Sequence, residues 1–205
     1  MKKTRTKKNW IQEHLSDQYV QQAQQDGFRS RAAYKLLEIH KKYNLVKPND
    51  RVVDLGSAPG SWSQAVSKVL SKKGEIFAID ILDMEAVKQT NFIQGDFRDQ
   101  SVLQRLEKLI GKVQVDLVIS DMAPNISGNK TRDQALINDL NEISLDFVHD
   151  WLKPNGNFVV KSFMGNGFDS FVKKLKTSFT KVVIKKPDSS RSRSPEFFLI
   201  GLEKL

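Results

Sequence analysis

Asp54-Leu55-Gly56-Ser57-Ala58-Pro59-Gly60-Ser61-Trp62-Ser63-Gln64 is the stretch on which the fold turns. It follows Arg51-Val52-Val53 and leads into Ala65-Val66-Ser67-Lys68-Val69-Leu70, so it reads as a strand end, a tight glycine turn and a helix start. Ser61 and Gln64 stand at capping-box spacing, which predicts a helix N-terminus just after Gly60. In an open α/β sheet such a turn lies at the carboxyl ends of the strands, where ligands bind.

The chemistry of the turn narrows the ligand. A dinucleotide fold carries Gly-x-Gly-x-x-Gly, whose middle glycine lets the backbone close on a pyrophosphate. Here Ala58 stands in that place and Pro59 removes a backbone donor, so the anion cradle is poor. Asp54 at the strand end would repel a pyrophosphate but suits a cationic or zwitterionic ligand. S-adenosylmethionine, with its ammonium and sulfonium, is such a ligand.

Outward from the turn, the acids continue. Glu75–Asp80 reads as a second strand and Asn91–Asp96 as a third, each closing on aspartate. Asp80 follows Gly60 by 20 residues, the separation at which an acid commonly accepts hydrogen bonds from a ribose. Val115–Asp121 is a strand of buried type and also ends on an acid. One aspartate after a strand is ordinary turn chemistry. Four beside a glycine turn mark a ligand edge, with Asp80 expected at the ribose hydroxyls, Asp96 at the adenine amino group and Asp121 facing the methyl donor. Trp62 is expected to contact the cofactor, against an alternative reading as helix-face core.

The other elements follow from periodicity. Trp10–Gln25 reads as a helix, and Ser30 caps another running to Tyr43. Asp99–Ile110 carries an apolar stripe. Thr131 and Gln134 give a second capping box for a helix that Pro154-Asn155-Gly156 stops. Gly156–Phe163 is a fifth strand, Phe168–Phe179 a helix with Lys173, Lys174 and Lys176 outward, and 181–186 and 196–202 a closing strand pair. This order predicts one α/β domain over 1–205, with an open, mostly parallel seven-stranded sheet and helices on both faces. Residues 1–9 are expected to form a mobile basic arm.

Composition sets the class. Of 205 residues, 39% are hydrophobic and 28% charged, which fits a soluble globular protein. No apolar run approaches the roughly 20 residues that span a bilayer, and the basic start is not followed by a secretory h-region. There is no cysteine, and His14, His40 and His149 lack ligand spacing, so no metal and a reducing, cytoplasmic setting are expected. A net charge of +9 points to a polyanionic partner or to a lysine-rich solvated surface.

At this point the residues resemble a known family, the ribosomal RNA large-subunit methyltransferases E, also called FtsJ or RrmJ. The resemblance runs nearly end to end, through Ser30-Arg31-Ala32-Ala33-Tyr34-Lys35-Leu36, residues 54–64, Asp121-Met122-Ala123-Pro124-Asn125, Val160-Lys161 and Arg191-Ser192-Arg193-Ser194-Pro195-Glu196. It implies a Rossmann-like class I methyltransferase fold that uses S-adenosylmethionine. The family's Lys-Asp-Lys-Glu tetrad would fall on Lys35, Asp121, Lys161 and Glu196, and its cofactor site on Asp54, Gly56, Gly60, Trp62, Asp80, Asp96 and Asp121. The implied reaction is 2′-O-methylation of a uridine in large-subunit RNA on the assembled 50S subunit, by a monomer. Enzymes of messenger RNA caps share the tetrad, so the four residues specify ribose chemistry better than they specify the RNA.

Methyl transfer from a sulfonium is an in-line displacement, so the protein chiefly aligns the oxygen and assists loss of its proton. For a lysine to act as base its pKa must fall from about 10.4 toward roughly 7–8, which burial and a like charge promote. Lys161 is therefore expected to take or steer the 2′-OH proton, oriented by Asp121, with Lys35 and Glu196 setting charge and substrate position. The alternatives are a 2′-O-methyltransferase of transfer RNA or messenger RNA caps, and a non-enzymatic RNA-binding protein. The last would leave the acid-ended strands and Lys161 without employment.

Overall fold

Val52, Val53, Ile76, Ile79, Val118 and Ile119 are β-branched, lie in short apolar runs and are excluded from water. Such runs make strands covered on both faces. The computed structural model describes residues 16–191 and 193–205. Its strands are β1 (Arg51–Leu55), β2 (Glu75–Asp80), β3 (Thr90–Gln94), β4 (Val115–Ser120), β5 (Leu152–Phe163), β6 (Phe179–Lys185) and β7 (Glu196–Lys204). They form one sheet in the order β3-β2-β1-β4-β5-β7-β6. The first five run parallel, while β7 enters antiparallel between β5 and β6.

Alternation along the strands divides the core in two. Val53, Leu55, Val118, Phe158, Val160 and Leu199 face one side, under α4 (Gln100–Ile110), α5 (Lys130–Trp151) and α6 (Phe168–Ser178). Val52, Leu117, Ile119, Val159, Phe198 and Ile200 face the other, under α1 (Gln18–Gln25), α2 (Ala32–Tyr43) and α3 (Ser61–Ser67). The mostly parallel sheet with helices on both faces is thus present as expected. The residues of the basic arm, and the Trp10–Leu15 part of the first predicted helix, lie outside the described residues.

Four local expectations are corrected. Ser61 and Gln64 form no capping box: Gly60 starts α3 in a left-handed conformation without a side-chain cap. Ser61 Oγ instead lies 2.7 Å from Ser30 Oγ, and Gln64 accepts from Arg29 N at 2.9 Å while donating to Gly27 O. Both side chains are drawn away by the segment preceding α2. Thr131 and Gln134 likewise do not cap α5. Asn129 does, accepting from Arg132 N at 3.1 Å, and Gln134 bonds Asn138 one turn on. Pro154 does not separate a helix from a loop, because α5 ends at Trp151 and β5 already begins at Leu152. Ser30 does not cap α2 either: the N-cap position is Arg31, which lends no side-chain bond, and the Ser30 hydroxyl one residue earlier accepts from Ala32 N at 3.2 Å in a local turn.

Candidate active site

Strand parity decides which side chains meet. Ile119 faces the α1–α3 side, so Asp121, two residues on, leaves β4 in that direction; Val159 places Lys161 there, and Phe198 places Glu196 there. The register brings Ser120 opposite Val160, hence Asp121 beside Lys161. Lys35 descends onto the same spot from α2. All four predicted residues are brought together as two ion pairs. Lys161 Nζ lies 2.9 Å from Asp121 Oδ1 and donates to Asp121 O at 2.6 Å. Lys35 Nζ lies 2.6 Å from Glu196 Oε1. These side chains are only 10–21% exposed, so the charges act in a partly water-excluded setting. Burial pushes the Glu196 carboxyl up, but the charge and hydrogen bond of Lys35 and the charge of Lys161 hold it below its ordinary value.

A cleft of about 530 Å³ opens beside this group at the carboxyl ends of the strands, within the range of roughly 300–1,000 Å³ typical of small-molecule sites. Gly56, Asp80, Asp96 and Asp121 line it, together with Leu136 and Leu140 of α5. Gly56 has φ 76°, and a Cβ there would meet Met122 Cγ at 2.6 Å and the Met122 backbone at 3.0 Å. Asp80 accepts from Ala58 N at 2.9 Å and Leu82 N at 2.8 Å, tying the glycine turn to the loop after β2. Each of its oxygens keeps a lone pair for a ligand hydroxyl. Asp96 lies two residues beyond β3, and its carboxylate is gripped by Arg98 through Nε, Nη2 and N at 2.6–3.2 Å. That grip holds its pKa below the ordinary carboxylate value.

Three expected cofactor residues do not line this cleft. Asp54 is fully buried beneath it, accepting from Ser63 Oγ at 2.6 Å. Burial, opposed by that bond and reinforced by the charges of Asp121 and Asp80, pushes its carboxyl up to about 7. Gly60 abuts Arg29 and Met84. Trp62 is 3% exposed, packs on Phe198 with ring centroids 5.6 Å apart and donates to Ala32 O at 2.9 Å. Its side chain is packed in the core, because α3 turns that face toward α2 and the sheet. Two residues were missed. Arg29 clamps the turn by donating to Pro59 O, Glu85 O and Ala86 O at 2.8–2.9 Å, a long-range contact without a local signal. Phe198 floors the tetrad, with Lys35 Nζ 5.6 Å from its ring centroid. Its signal was the same-face spacing from Glu196.

The donor set tests the ligand. Asp54 Oδ1 and Ser57 Oγ are buried without a hydrogen-bond partner among the described residues, and three carboxylates, Asp54, Asp80 and Asp121, interact within this region. Acceptors in this excess fit a cationic adenosine derivative and not a pyrophosphate. Among the described residues no group of three acids or histidines is placed to hold a metal. On the far side of the tetrad a smaller pocket is lined by Arg31, Lys35, Arg191 and Glu196. The 187–195 loop that carries Arg191 is held to α2 where Glu38 accepts from Asp188 N and Ser189 N at 2.7 and 2.9 Å.

The FtsJ-like methyltransferase family model matches residues 28–204. The ribosomal RNA large subunit methyltransferase E of Methylobacillus flagellatus is 53% identical, over 100% of this chain and 99% of that protein. Its counterpart in Chromobacterium violaceum is 50% identical over 98% of each. Among solved structures, a Plasmodium falciparum protein provisionally assigned as a ribosomal RNA methyltransferase superimposes with a TM-score of 0.76 at 30% identity, covering 87% of this chain and 99% of that one. Aeropyrum pernix fibrillarin, solved with S-adenosyl-L-methionine bound, shares the fold with a TM-score of 0.55 at 16% identity, covering 83% and 76%.

Proposed function

The chain belongs to the FtsJ-like methyltransferase family, and from that premise we propose that it methylates the 2′-oxygen of a uridine in large-subunit ribosomal RNA, on the assembled 50S subunit. It is an S-adenosylmethionine-dependent ribosomal RNA methyltransferase. The observation that supports the ribose as acceptor is the pairing of two lysines with two carboxylates at the mouth of an acid-lined cleft.

When bound, S-adenosylmethionine supplies an electrophilic methyl group. Asp80 is assigned the ribose hydroxyls of the cofactor, and the 95–97 turn with Asp96 its adenine. Asp121 lends negative charge to the side where the cationic groups would lie, with the carboxyl of Asp54 buried behind it as a further acceptor. Lys161, held by Asp121 through both carboxylate and carbonyl, points a nitrogen at the acceptor hydroxyl and takes or steers its proton. Lys35 and Glu196, seated on Phe198, balance the charge and position the RNA. Proximity and alignment then carry most of the acceleration, since the leaving thioether needs no protonation. We assign the protein to the cytoplasm as a monomeric single domain. Among the described residues no helix is long and apolar enough to cross a membrane.

The test is labelled methyl transfer to unmodified large subunits, with the product nucleotide mapped, for wild type and Lys161→Ala. Label on a ribose oxygen, together with loss of turnover but retained cofactor binding in the variant, is expected. Label on a base, or near wild-type turnover by Lys161→Ala, would overturn the assignment.

A further inference from the structure

The ribose oxygen at Lys161 belongs to a sugar whose adjacent carbon carries the base, so the base must rest on a surface immediately around the tetrad. The cofactor occupies one side in the reading above, on which this inference rests. Phe198 is buried beneath. The pocket on the α2 side presents three cations, Arg31, Lys35 and Arg191, whose charge suits the phosphates flanking the acceptor nucleotide. The remaining side is made by the loops that leave β4 and β5 where they lie outside the cleft lining, residues 126–129 and 164–167.

Those loops hold two of the exposed large apolar side chains of the described structure, Ile126 at 61% and Met164 at 58% exposure. Both follow closely on tetrad residues, Ile126 five positions after Asp121 and Met164 three after Lys161. The first turns of α5 brace both loops. Buried Asp133 accepts from Ser127 N, Ser127 Oγ and Gly128 N at 2.9, 2.7 and 3.0 Å, fixing the first loop. Asn138 donates to Asn166 O at 2.8 Å, and Gln134 abuts Gly165, fixing the second. One turn deeper, Asn141 bonds Ser162 at 2.8 Å, next to Lys161. One helix thereby sets the position of two exposed apolar residues relative to the reacting amine.

We propose that Ile126 and Met164 are the contact surface for the base of the acceptor nucleotide, with α5 as their common brace. An apolar ledge takes a base by its face and reads little of its edge, so it positions the nucleotide while pairing or context elsewhere selects it. Exposure without a partner before RNA binds is what such a ledge requires, and burial of the two side chains on binding supplies affinity.

The experiment uses the full chain, unmodified large subunits and S-adenosylmethionine, with Ile126→Ser, Met164→Ser and the double variant. KM for the subunit is expected to rise about five-fold in each single variant and about twenty-fold in the double, as for side chains that are half desolvated on binding. Cofactor Kd by calorimetry and the thermal midpoint should stay at wild-type values, because both side chains are exposed. Ile126→Phe, which keeps an apolar face, should hold KM at or below wild type. A double variant whose kcat/KM stays within about two-fold of an active wild type overturns this inference alone. A wild-type protein that methylates no subunit overturns the functional reading and this inference with it.

Discussion

Replacing Asp54 by asparagine should stabilise the protein at alkaline pH far more than at acid pH. The side chain is fully buried on β1, with one oxygen bonded to Ser63 and the other without a partner among the described residues. Its carboxyl is pushed up to about 7 from an ordinary value of 3.8. The folded state therefore holds this proton more tightly than the unfolded state, and stability falls as pH rises between those two values. Below 3.8 the group contributes no penalty. Above about 7 the penalty is complete, and a gap of about three pH units at 1.36 kcal/mol each sets it near 4 kcal/mol. Asparagine does not titrate, and its altered bond to Ser63 weighs equally at every pH. Urea unfolding of wild type and Asp54→Asn at about pH 5 and about pH 8.5 isolates the effect, and the variant's relative stability should grow by about 2–3 kcal/mol between them. A stability difference that is the same at both pH values, within about 0.5 kcal/mol, would refute the reasoning.

Trp62→Ala should cost roughly 3–5 kcal/mol in urea unfolding yet leave cofactor affinity within about two-fold at temperatures where the variant is folded. Loss of binding by a folded variant would return Trp62 to the cofactor site. Asp80→Asn should weaken cofactor binding about ten- to a hundred-fold by calorimetry, since a carboxylate acceptor is worth more than an amide; unchanged affinity would remove Asp80 from the ribose. Subunit binding should fall about ten-fold or more between roughly 50 and 200 mM salt, measured by filter binding, and a flat response would contradict a phosphate-dominated interface.

Much of the fold was readable because its determinants are local. The buried β-branched runs, the acids closing them and the stripe of Val102, Leu106 and Ile110 each specify one element by periodicity alone. Helix starts were less readable. A serine followed by glutamine at capping distance is equally able to reach other groups, and at Ser61 and Gln64 those groups came from residues 27–30. At the site, Asp80, Asp96 and Asp121 were legible as strand-end acids. The pairing of Lys35 with Glu196 was not, since it joins residues 161 positions apart through the parity of β7. The burial of the Trp62 side chain was illegible for a related reason: the phase of a two-turn helix is set by what covers it. Arg29 had no sequence signal, because its partners are backbone carbonyls far along the chain.

Strand β7 has a consequence in time. It follows every other element in the chain, yet it lies inside the sheet, between β5 and β6, and bears both Glu196 and Phe198. During synthesis β6 has no strand to pair with until β7 arrives, and Lys35, made some 160 residues earlier, lacks its Glu196 partner. The lining of the acid-edged cleft, by contrast, comes from residues 56–140, all of them made before that event. A nascent chain thus contains every residue that lines the cleft before the strand that completes the two ion pairs has been made.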